Sequence, residues 1–265
     1  MSGPARPAAP APERRTAGEP GAILAIDAAG HGCSVALWRR DAVVAAEARD
    51  MAHGQAAELL PMIERVMQAG GLDLRQLDKV AVTVGPGGFT GLRIGLATAR
   101  GLGLAIGCPV IGISSFQATA AALLAAADAP AARAPGDLLV VLDSRRSEPY
   151  LARLAPDLAF RQPPKLLDAA ELAAACQAPG LTLACGDGLA GLAAFLPATL
   201  PQRAGGGDAV AVARLAADPG QRFHLPPDPV YLRPPDISQP KAPAAVIPAP
   251  AIPAPVIPRP AKPSS

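Results

Sequence analysis

The sequence predicts an α/β fold built from two copies of one unit, in which three strands, a helix, a strand and a second helix follow one another. Two observations predict it. Short apolar runs, typical of strands, alternate with longer stretches in which apolar residues recur at helical spacing. The same order of elements begins again after Pro135, although the sequences of the two halves are not similar.

The first unit opens with three strands, predicted at 22–27, 33–38 and 41–48, since a glycine-bearing turn separates the first two apolar runs. A helix is predicted over 54–69 from apolar residues at helical spacing: Ala56, Leu59, Leu60, Ile63, Val66 and Met67. Pro61 marks either a kink in this helix or a late start. A buried strand at 79–84, a helix over about 90–106 and a strand from 109 complete the unit.

The second unit is predicted from weaker patterns. Its elements are strands at 137–143, 148–154 and 157–160, a helix at 168–176, a strand at 181–185 and a short helix at 188–195. A duplicated βββαβα unit is the layout of the actin-like ATPase (ribonuclease H-like) fold, which is the fold class that the sequence predicts.

Proline marks the limits of this fold. Five of the 32 prolines lie in 1–20 and nine lie in 240–265, so both ends are predicted to be disordered tails. The predicted domains are a first subdomain at 21–113 and a second at 114–236, whose last helix is free to return to the first. The tail at 237–265 alternates proline with small apolar residues, which favours an extended polyproline conformation and either a solubilising or a docking role.

Charge and cysteine content exclude several classes of protein. Residues 21–236 keep 18 basic and 20 acidic residues, without the basic excess of a protein that holds nucleic acid alone. The four cysteines have no CxxC spacing, which favours reduced thiols over disulfides or zinc ligands. No apolar run reaches the 18 or so residues of a membrane span, and the start of the chain has no signal-peptide core, so a cytoplasmic protein is predicted.

The glycine-rich segment at 85–103 is the most informative part of the chain. Its GxGxxxG spacing matches neither the dinucleotide fingerprint nor a P-loop. Within the predicted helix, small residues recur every fourth position: Gly91, Gly95, Ala99 and Gly103. Since glycine costs a helix about 1 kcal/mol relative to alanine, the stripe predicts close packing, either inside this chain or against a second subunit.

Two aspartates at strand ends are candidate nucleotide-binding residues. Asp27 ends the first strand and faces the turn at 28–32, and Asp143 holds the same place in the second unit. In actin-like folds this acid and turn handle phosphate and its metal ion. The alternative is that each aspartate only caps its turn. The three histidines are too far apart for HxxxH or HExxH spacing, and no GxSxG segment occurs, so a metal or serine hydrolase is not predicted.

Six segments in order resemble the TsaB (YeaZ) family over about residues 22–236. They are ILAIDAAGHGCSVALW, HGQAAELLPMIERVM, VTVGPGGFTGLRIGLATARGLGLAIGCPVIGISS, VLDSRRSEPYLA, ACGDG and YLRPPD. The resemblance implies a non-catalytic subunit that pairs with the transferase TsaD to make threonylcarbamoyladenosine in tRNA, at the adenosine 3′ of the anticodon. It also implies a TsaE-like ATPase partner, a homodimer when alone, and tRNA held indirectly through the complex.

The resemblance also implies where the partner binds. Pairing would use the first two helices, with Leu59, Ile63, Gly91, Gly95, Ala99 and Gly103 at the interface. No intrinsic cofactor is expected, although ATP or ADP at the subunit interface stays open. Ala28 and Gly88 stand where the family usually has threonine and serine, which makes ATP use by this chain alone less expected. The alternative function is a stand-alone nucleotide-binding hydrolase or kinase that acts through Asp27 and Asp143.

Overall fold

A computed structural model of the chain describes residues 21–126, 136–146 and 148–233. The tails predicted at 1–20 and 237–265 lie outside these residues. The first sheet has five strands in the order β3-β2-β1-β4-β5. They are β1 (Ile23–Asp27), β2 (Gly32–Arg39), β3 (Ala42–Asp50), β4 (Lys79–Gly85) and β5 (Val110–Ser114).

The first three strands form an antiparallel meander, and β4 and β5 extend the sheet parallel to β1. The turn between β2 and β3 has two residues in the left-handed region, Arg40 at φ 53° and Asp41 at φ 58°. Positive φ at both central residues is the geometry of a two-residue hairpin, which fits the twist of the flanking strands. The strands predicted for the first unit are therefore all present.

The second sheet has four strands in the order β7-β6-β8-β9. They are β6 (Asp137–Leu142), β7 (Tyr150–Leu154), β8 (Leu181–Cys185) and β9 (Gln202–Arg203). The strand predicted at 157–160 is reduced to a single bridge between Leu154 and Phe160. Its backbone turns instead, since Leu158 has φ 67° and its N–H donates to the carbonyl of Ala155.

Five α-helices complete the described part of the chain. They are α1 (Gln55–Ala69), α2 (Phe89–Ile106), α3 (Ser115–Ala125), α4 (Ala169–Cys176) and α5 (Ala209–Ala216). α1 starts at Gln55 and continues through Pro61, so this proline does not delay the helix start. The predicted helix at 188–195 is a short 3₁₀ turn, Leu189–Leu192. None of these helices is long and apolar enough to cross a membrane.

The helices form layers around the two sheets. α1 and α2 cover one face of the first sheet, where Leu24, Ile63 and Leu92 share a core cluster. α3 and α5 cover the other face, and one further cluster joins Phe116 of α3 and Val212 of α5 to strands of both sheets. The two sheets thus share one apolar layer, and each sheet buries an apolar face against it.

One buried carboxylate fastens the start of the second sheet. Asp137 begins β6 and accepts from Arg153 Nε at 2.6 Å and from Arg161 Nε at 2.8 Å. The hydrogen bond from Arg161, followed by that from Arg153, holds the pKa of Asp137 below its ordinary value. Arg153 lies on β7, so the pair ties neighbouring strands together.

We expect Asp137→Asn to destabilise the fold at neutral pH by about 2 kcal/mol, because two arginines lose their charged partner while both stay partly exposed. A lowered folded-state pKa means that the carboxylate stabilises the fold above pH 3.8 and loses this effect as pH falls through the lower folded value. In urea unfolding, the difference in the free energy of unfolding between the wild type and Asp137→Asn should be present at pH 7 and become smaller below pH 4. An equal difference at both pH values would contradict the ion-pair explanation.

Candidate functional site

The carboxyl ends of strands from both sheets meet at a cleft of about 230 Å³. β1 and β4 run parallel, as do β6 and β8, so the loops that follow them gather at one edge of each sheet. The residues that line it include Asp27, Gly30, His31, Cys33, Arg49, Asp50, Ser115, Asp143, Asp187 and Asp208. Both predicted nucleotide-binding aspartates are among them.

Asp27 sits at the floor of this cleft. Thr83 on β4 donates its hydroxyl to Asp27 Oδ1 at 2.6 Å, and the Ala29 N–H donates to the same oxygen at 3.0 Å. Burial raises the pKa of Asp27 above its ordinary value, these two hydrogen bonds oppose the rise, and the charges of Asp208 and Asp187 add to it. The sequence placed Asp27 at a strand end correctly, and the structure adds that it is a buried carboxyl.

Asp143 follows β6, where loops from the two sheets meet. Its Oδ1 accepts from the Arg145 N–H at 2.7 Å, and its own N–H donates to Asp187 Oδ1 at 2.9 Å. From the first sheet, His31 Nε2 lies 3.3 Å from Asp143 Oδ2 and 3.8 Å from Asp187 Oδ2. Arg145 Nη2 in turn donates to the carbonyl of Gly30 at 2.9 Å. These contacts bridge the mouth of the cleft.

Three carboxylates that line the cleft were not singled out from the sequence: Asp50, Asp187 and Asp208. Asp187 follows β8, and burial is the main cause that raises its pKa. Asp208 is the N-cap of α5, where its side chain accepts from the Ala211 N–H at 2.7 Å. An aspartate followed by apolar residues at helical spacing is an N-cap signal, so Asp208 was open to prediction once α5 had been recognised.

The cysteines are free thiols in apolar surroundings, as their spacing predicts. Cys33 Sγ lies 3.4 Å from Met62 Sδ, and burial raises the pKa of the Cys33 thiol. Burial also raises the pKa of Cys185 to about 12. A protonated thiol is a poor nucleophile at neutral pH. Among the residues the structure describes, no three His, Cys, Asp or Glu side chains are grouped to hold a metal ion.

The small-residue stripe of α2 faces this chain's own sheet. A Cβ at Gly91 would lie 2.1 Å from the Ala28 carbonyl oxygen, and one at Gly103 would lie 2.3 Å from Val110 Cγ2. Ala99 is fully buried and Gly95 faces β1 and β4. Of the two explanations left open by the sequence, packing inside the chain accounts for the stripe.

The predicted interface residues therefore need correction. Leu59 and Ile63 of α1 are also buried in the chain's own core, beside the stripe of α2. Side chains that are already covered cannot contact a partner without unpacking the core. A partner that uses these two helices must instead contact their outer faces.

We define the outer face as the exposed residues of α1 and α2. Its large apolar members are Leu60, 51% exposed, Phe89, 43% exposed, and Leu104, 88% exposed. Further exposed α2 positions on it are Arg93, Ala97, Arg100, Gly101 and Ala105. A Cβ at Gly101 would meet nothing within 4 Å, so no contact inside the chain requires glycine there.

The last described residues, 230–233, pack beside one end of the outer face. The Val230 N–H donates to the Val84 carbonyl, which brings Tyr231 beside α2. The Arg93 guanidinium lies 3.6 Å from the centre of the Phe89 ring, and Arg93 Nε donates to the Tyr231 hydroxyl at 3.0 Å. The result is an ordered, exposed cluster of two aromatic rings and an arginine.

The sequence of this chain matches one family model and several bacterial proteins. The model of the family described as "TsaD: tRNA N6-adenosine threonylcarbamoyltransferase" matches residues 16–170, more than half of the chain. An uncharacterized protein of Mycobacterium tuberculosis is 36% identical over 217 residues, covering 81% of this chain and 92% of its own. The tRNA threonylcarbamoyladenosine biosynthesis protein TsaB of Escherichia coli is 35% identical over 135 residues, 51% of this chain and 55% of its own.

Solved structures show the same fold. YeaZ from Pseudomonas aeruginosa superposes with a TM-score of 0.68 at 24% identity, covering 80% of this chain and all of that one. A second structure from Pseudomonas aeruginosa, described as similar to peptidase YEAZ, has a TM-score of 0.66 at 21% identity with the same coverage. The predicted fold class is confirmed.

We expect Asp27→Asn to stabilise the protein at pH 7.5 by about 1 kcal/mol, within the usual range of single stabilising substitutions. Asparagine keeps the acceptor for Thr83 and Ala29 but carries no buried charge. Because the folded-state pKa of Asp27 is raised, its ionisation disfavours folding only at higher pH. In urea unfolding from pH 7.5 to pH 4, the advantage of the variant should shrink as pH falls. A constant advantage would show that charge burial is not the cause.

Alanine substitutions at two glycines of α2 should have opposite effects on the stability of the fold. We expect Gly91→Ala to destabilise the fold by about 2 kcal/mol, because its Cβ meets a backbone carbonyl that cannot easily move. Gly101→Ala should stabilise it by about 0.5–1 kcal/mol, because the new methyl group enters open space and alanine favours helix. Thermal unfolding of both variants tests the pair. Equal effects would contradict the assignment of the two faces of α2.

Proposed function

Because this chain belongs to the TsaB (YeaZ) family, we propose that it acts in the biosynthesis of threonylcarbamoyladenosine in tRNA as the non-catalytic partner of a TsaD-like transferase. Relatives in Escherichia coli and Haemophilus influenzae are named as biosynthesis proteins of this modified nucleoside. The M. tuberculosis relative extends the similarity over most of both chains.

The outer face of α1 and α2 is the observation that carries the pairing proposal. Leu104 exposes 88% of its surface, and Leu60 and Phe89 expose about half of theirs. Full burial of one such side chain yields roughly 1.5–3 kcal/mol. Ala97, Gly101 and Ala105 are small, so a partner helix can approach the backbone of α2 closely. This combination of large and small exposed residues suits helix-to-helix packing.

The arginines of the outer face are held in place before any partner binds. Arg93 stacks on Phe89 and bonds Tyr231, and Arg100 pairs with Asp228. Arginine and aromatic residues are enriched at the energetic centres of interfaces. Side chains that are already ordered lose less conformational entropy on association, which favours binding.

The remaining partners are part of the same proposal. A TsaE-like ATPase would join the pair, and tRNA would be held mainly by the transferase, which fits the near-neutral body of this chain. The outer face would support a homodimer in the absence of the transferase. Any ATP or ADP would lie where the two subunits meet.

We expect Leu104→Asp to weaken pairing with the TsaD-like subunit at least about tenfold, because a buried unpaired carboxylate is costly at an interface. The same change should leave the melting temperature of the free chain within about 2 °C, since this side chain packs against little in the monomer. The measurement is calorimetric titration of the two purified subunits. Val43→Asp is the matched control, because Val43 is an exposed apolar residue on β3 and belongs to neither helix.

Omit-one reconstitution tests the function itself. The reaction is assembled with and without this chain, and its nucleosides are analysed by mass spectrometry. Its other components are purified transferase, TsaE-like ATPase, upstream synthase, threonine, bicarbonate, ATP and unmodified tRNA. Product should form only when the wild-type chain or Val43→Asp is present, and fall with Leu104→Asp. Equal product without the chain would refute the proposed function. Pairing that Leu104→Asp leaves intact would refute the proposed surface alone.

A further inference from the structure

Three sulfur atoms lie together in the core between the first sheet and α1. Cys33 of β2 is in contact with two methionines, since its Sγ lies 3.4 Å from Met62 Sδ and 3.9 Å from Met51 Sδ. Met62 belongs to α1, and Met51 directly follows β3. The chain has only four cysteines and four methionines, and three separate segments bring three of these eight side chains together. We call these three residues the sulfur cluster.

The distances within the sulfur cluster suit ligands of one metal ion. A metal–sulfur bond in a protein is about 2.3 Å long, so two sulfur atoms on the same ion lie at most about 4.6 Å apart. The distances from Cys33 Sγ to Met62 Sδ and to Met51 Sδ are both within this limit. As hydrogen bonds these contacts contribute little, because a thiol is a weak donor and a thioether is a weak acceptor.

The backbone holds Met51 at its place in the sulfur cluster. The Met51 N–H donates to the His31 carbonyl at 3.0 Å, and the Met51 carbonyl accepts from Gln55 Nε2 at 3.3 Å. Met62 is fully buried and Cys33 is nearly so, whereas Met51 is only partly buried. The three ligands are therefore positioned in advance, and Met51 is the member that solvent reaches most easily.

The kind of sulfur atom selects the kind of ion. Zinc is held by cysteine, histidine and carboxylate ligands, and no three side chains of these types are grouped in the described part of the chain. A thiolate together with thioether sulfur is a soft set of ligands, which favours copper(I).

The charge of the ion leads to the same choice. One monovalent ion on one thiolate is neutral overall, so it can replace the thiol proton of Cys33 in an apolar core without burying a net charge. A divalent ion on the same ligands would leave one positive charge in the core cluster, which is costly.

We propose that the sulfur cluster binds one copper(I) ion through Cys33 Sγ, Met51 Sδ and Met62 Sδ. Binding breaks the S–H bond of Cys33 and forms a sulfur–copper bond, and the proton passes to solvent. Neither sulfur nor copper changes its oxidation state. The sulfur cluster is separate from the outer face, and the proposal does not rest on the proposed function.

The test is an anaerobic titration of the full chain with copper(I), kept reduced by ascorbate, in competition with the chelator bathocuproine disulfonate. We expect one tightly bound ion per chain, and Cys33→Ala should abolish its binding. Met51→Leu and Met62→Leu should each weaken it at least about tenfold, since loss of a residue that only supports a ligand already costs that much. Leucine has a volume close to that of methionine, so the melting temperature of the metal-free chain should change little.

Matched controls separate the sulfur cluster from other thiols and from other buried methionines. Met67→Leu, on the same helix, and Cys108→Ala, at a partly exposed thiol, should leave the affinity for copper(I) unchanged. Absence of a tightly bound ion would overturn the proposal, as would binding that is lost in Cys108→Ala. Binding that Met51→Leu and Met62→Leu both leave unchanged would overturn it too, because the thiol alone would then hold the ion. A parallel titration with zinc chloride completes the test, and zinc bound through Cys33 more tightly than copper(I) would refute the choice of ion.

Discussion

The close approach of α2 to the first strand of the structure is the constraint on which the rest depends. Gly91 lies so near the Ala28 carbonyl that any side chain would collide with it, and Gly87 meets the Ala29 carbonyl in the same way. The turn after β1 is thereby pressed under the start of α2. This contact sets the position of Asp27 in the cleft, and it leaves the opposite side of the helix facing outward.

The two candidate sites are therefore opposite sides of one packing arrangement. The buried side of α2 supports the turn that forms the floor of the cleft, and its exposed side carries Arg93 and Leu104. The C-terminal segment adds a second connection, since Arg233, next to the Tyr231 contact with α2, pairs with Glu148 of the loop that also contains Asp143. The same C-terminal segment thus contacts both a loop of the cleft and the outer face.

Sequence patterns predicted the first unit well, because its apolar runs are clear and separated by glycine-bearing turns. They failed where alanine dominates, and no helix is predicted at α3 or α5. In α3 the polar residues Ser115, Gln117 and Thr119 are buried beside the alanines, so its sequence shows no helical stripe. The spacing of Gly91 and Gly103 correctly indicated close packing, but spacing cannot tell a strand from a partner helix. Asp187 and Asp208 were missed because only the meeting of two distant loops makes them neighbours of Asp27.

The position of α5 has a consequence for the order in which the protein is made. α5 comes near the end of the described chain, yet it packs on β1 and β2, which are synthesised first. On the ribosome, the part of the N-terminal sheet formed by β1 and β2 therefore keeps one apolar face uncovered until residues 209–216 emerge. Folding of the first half is completed by the last helix, so premature termination or proteolysis in the second half would leave the first half prone to aggregation.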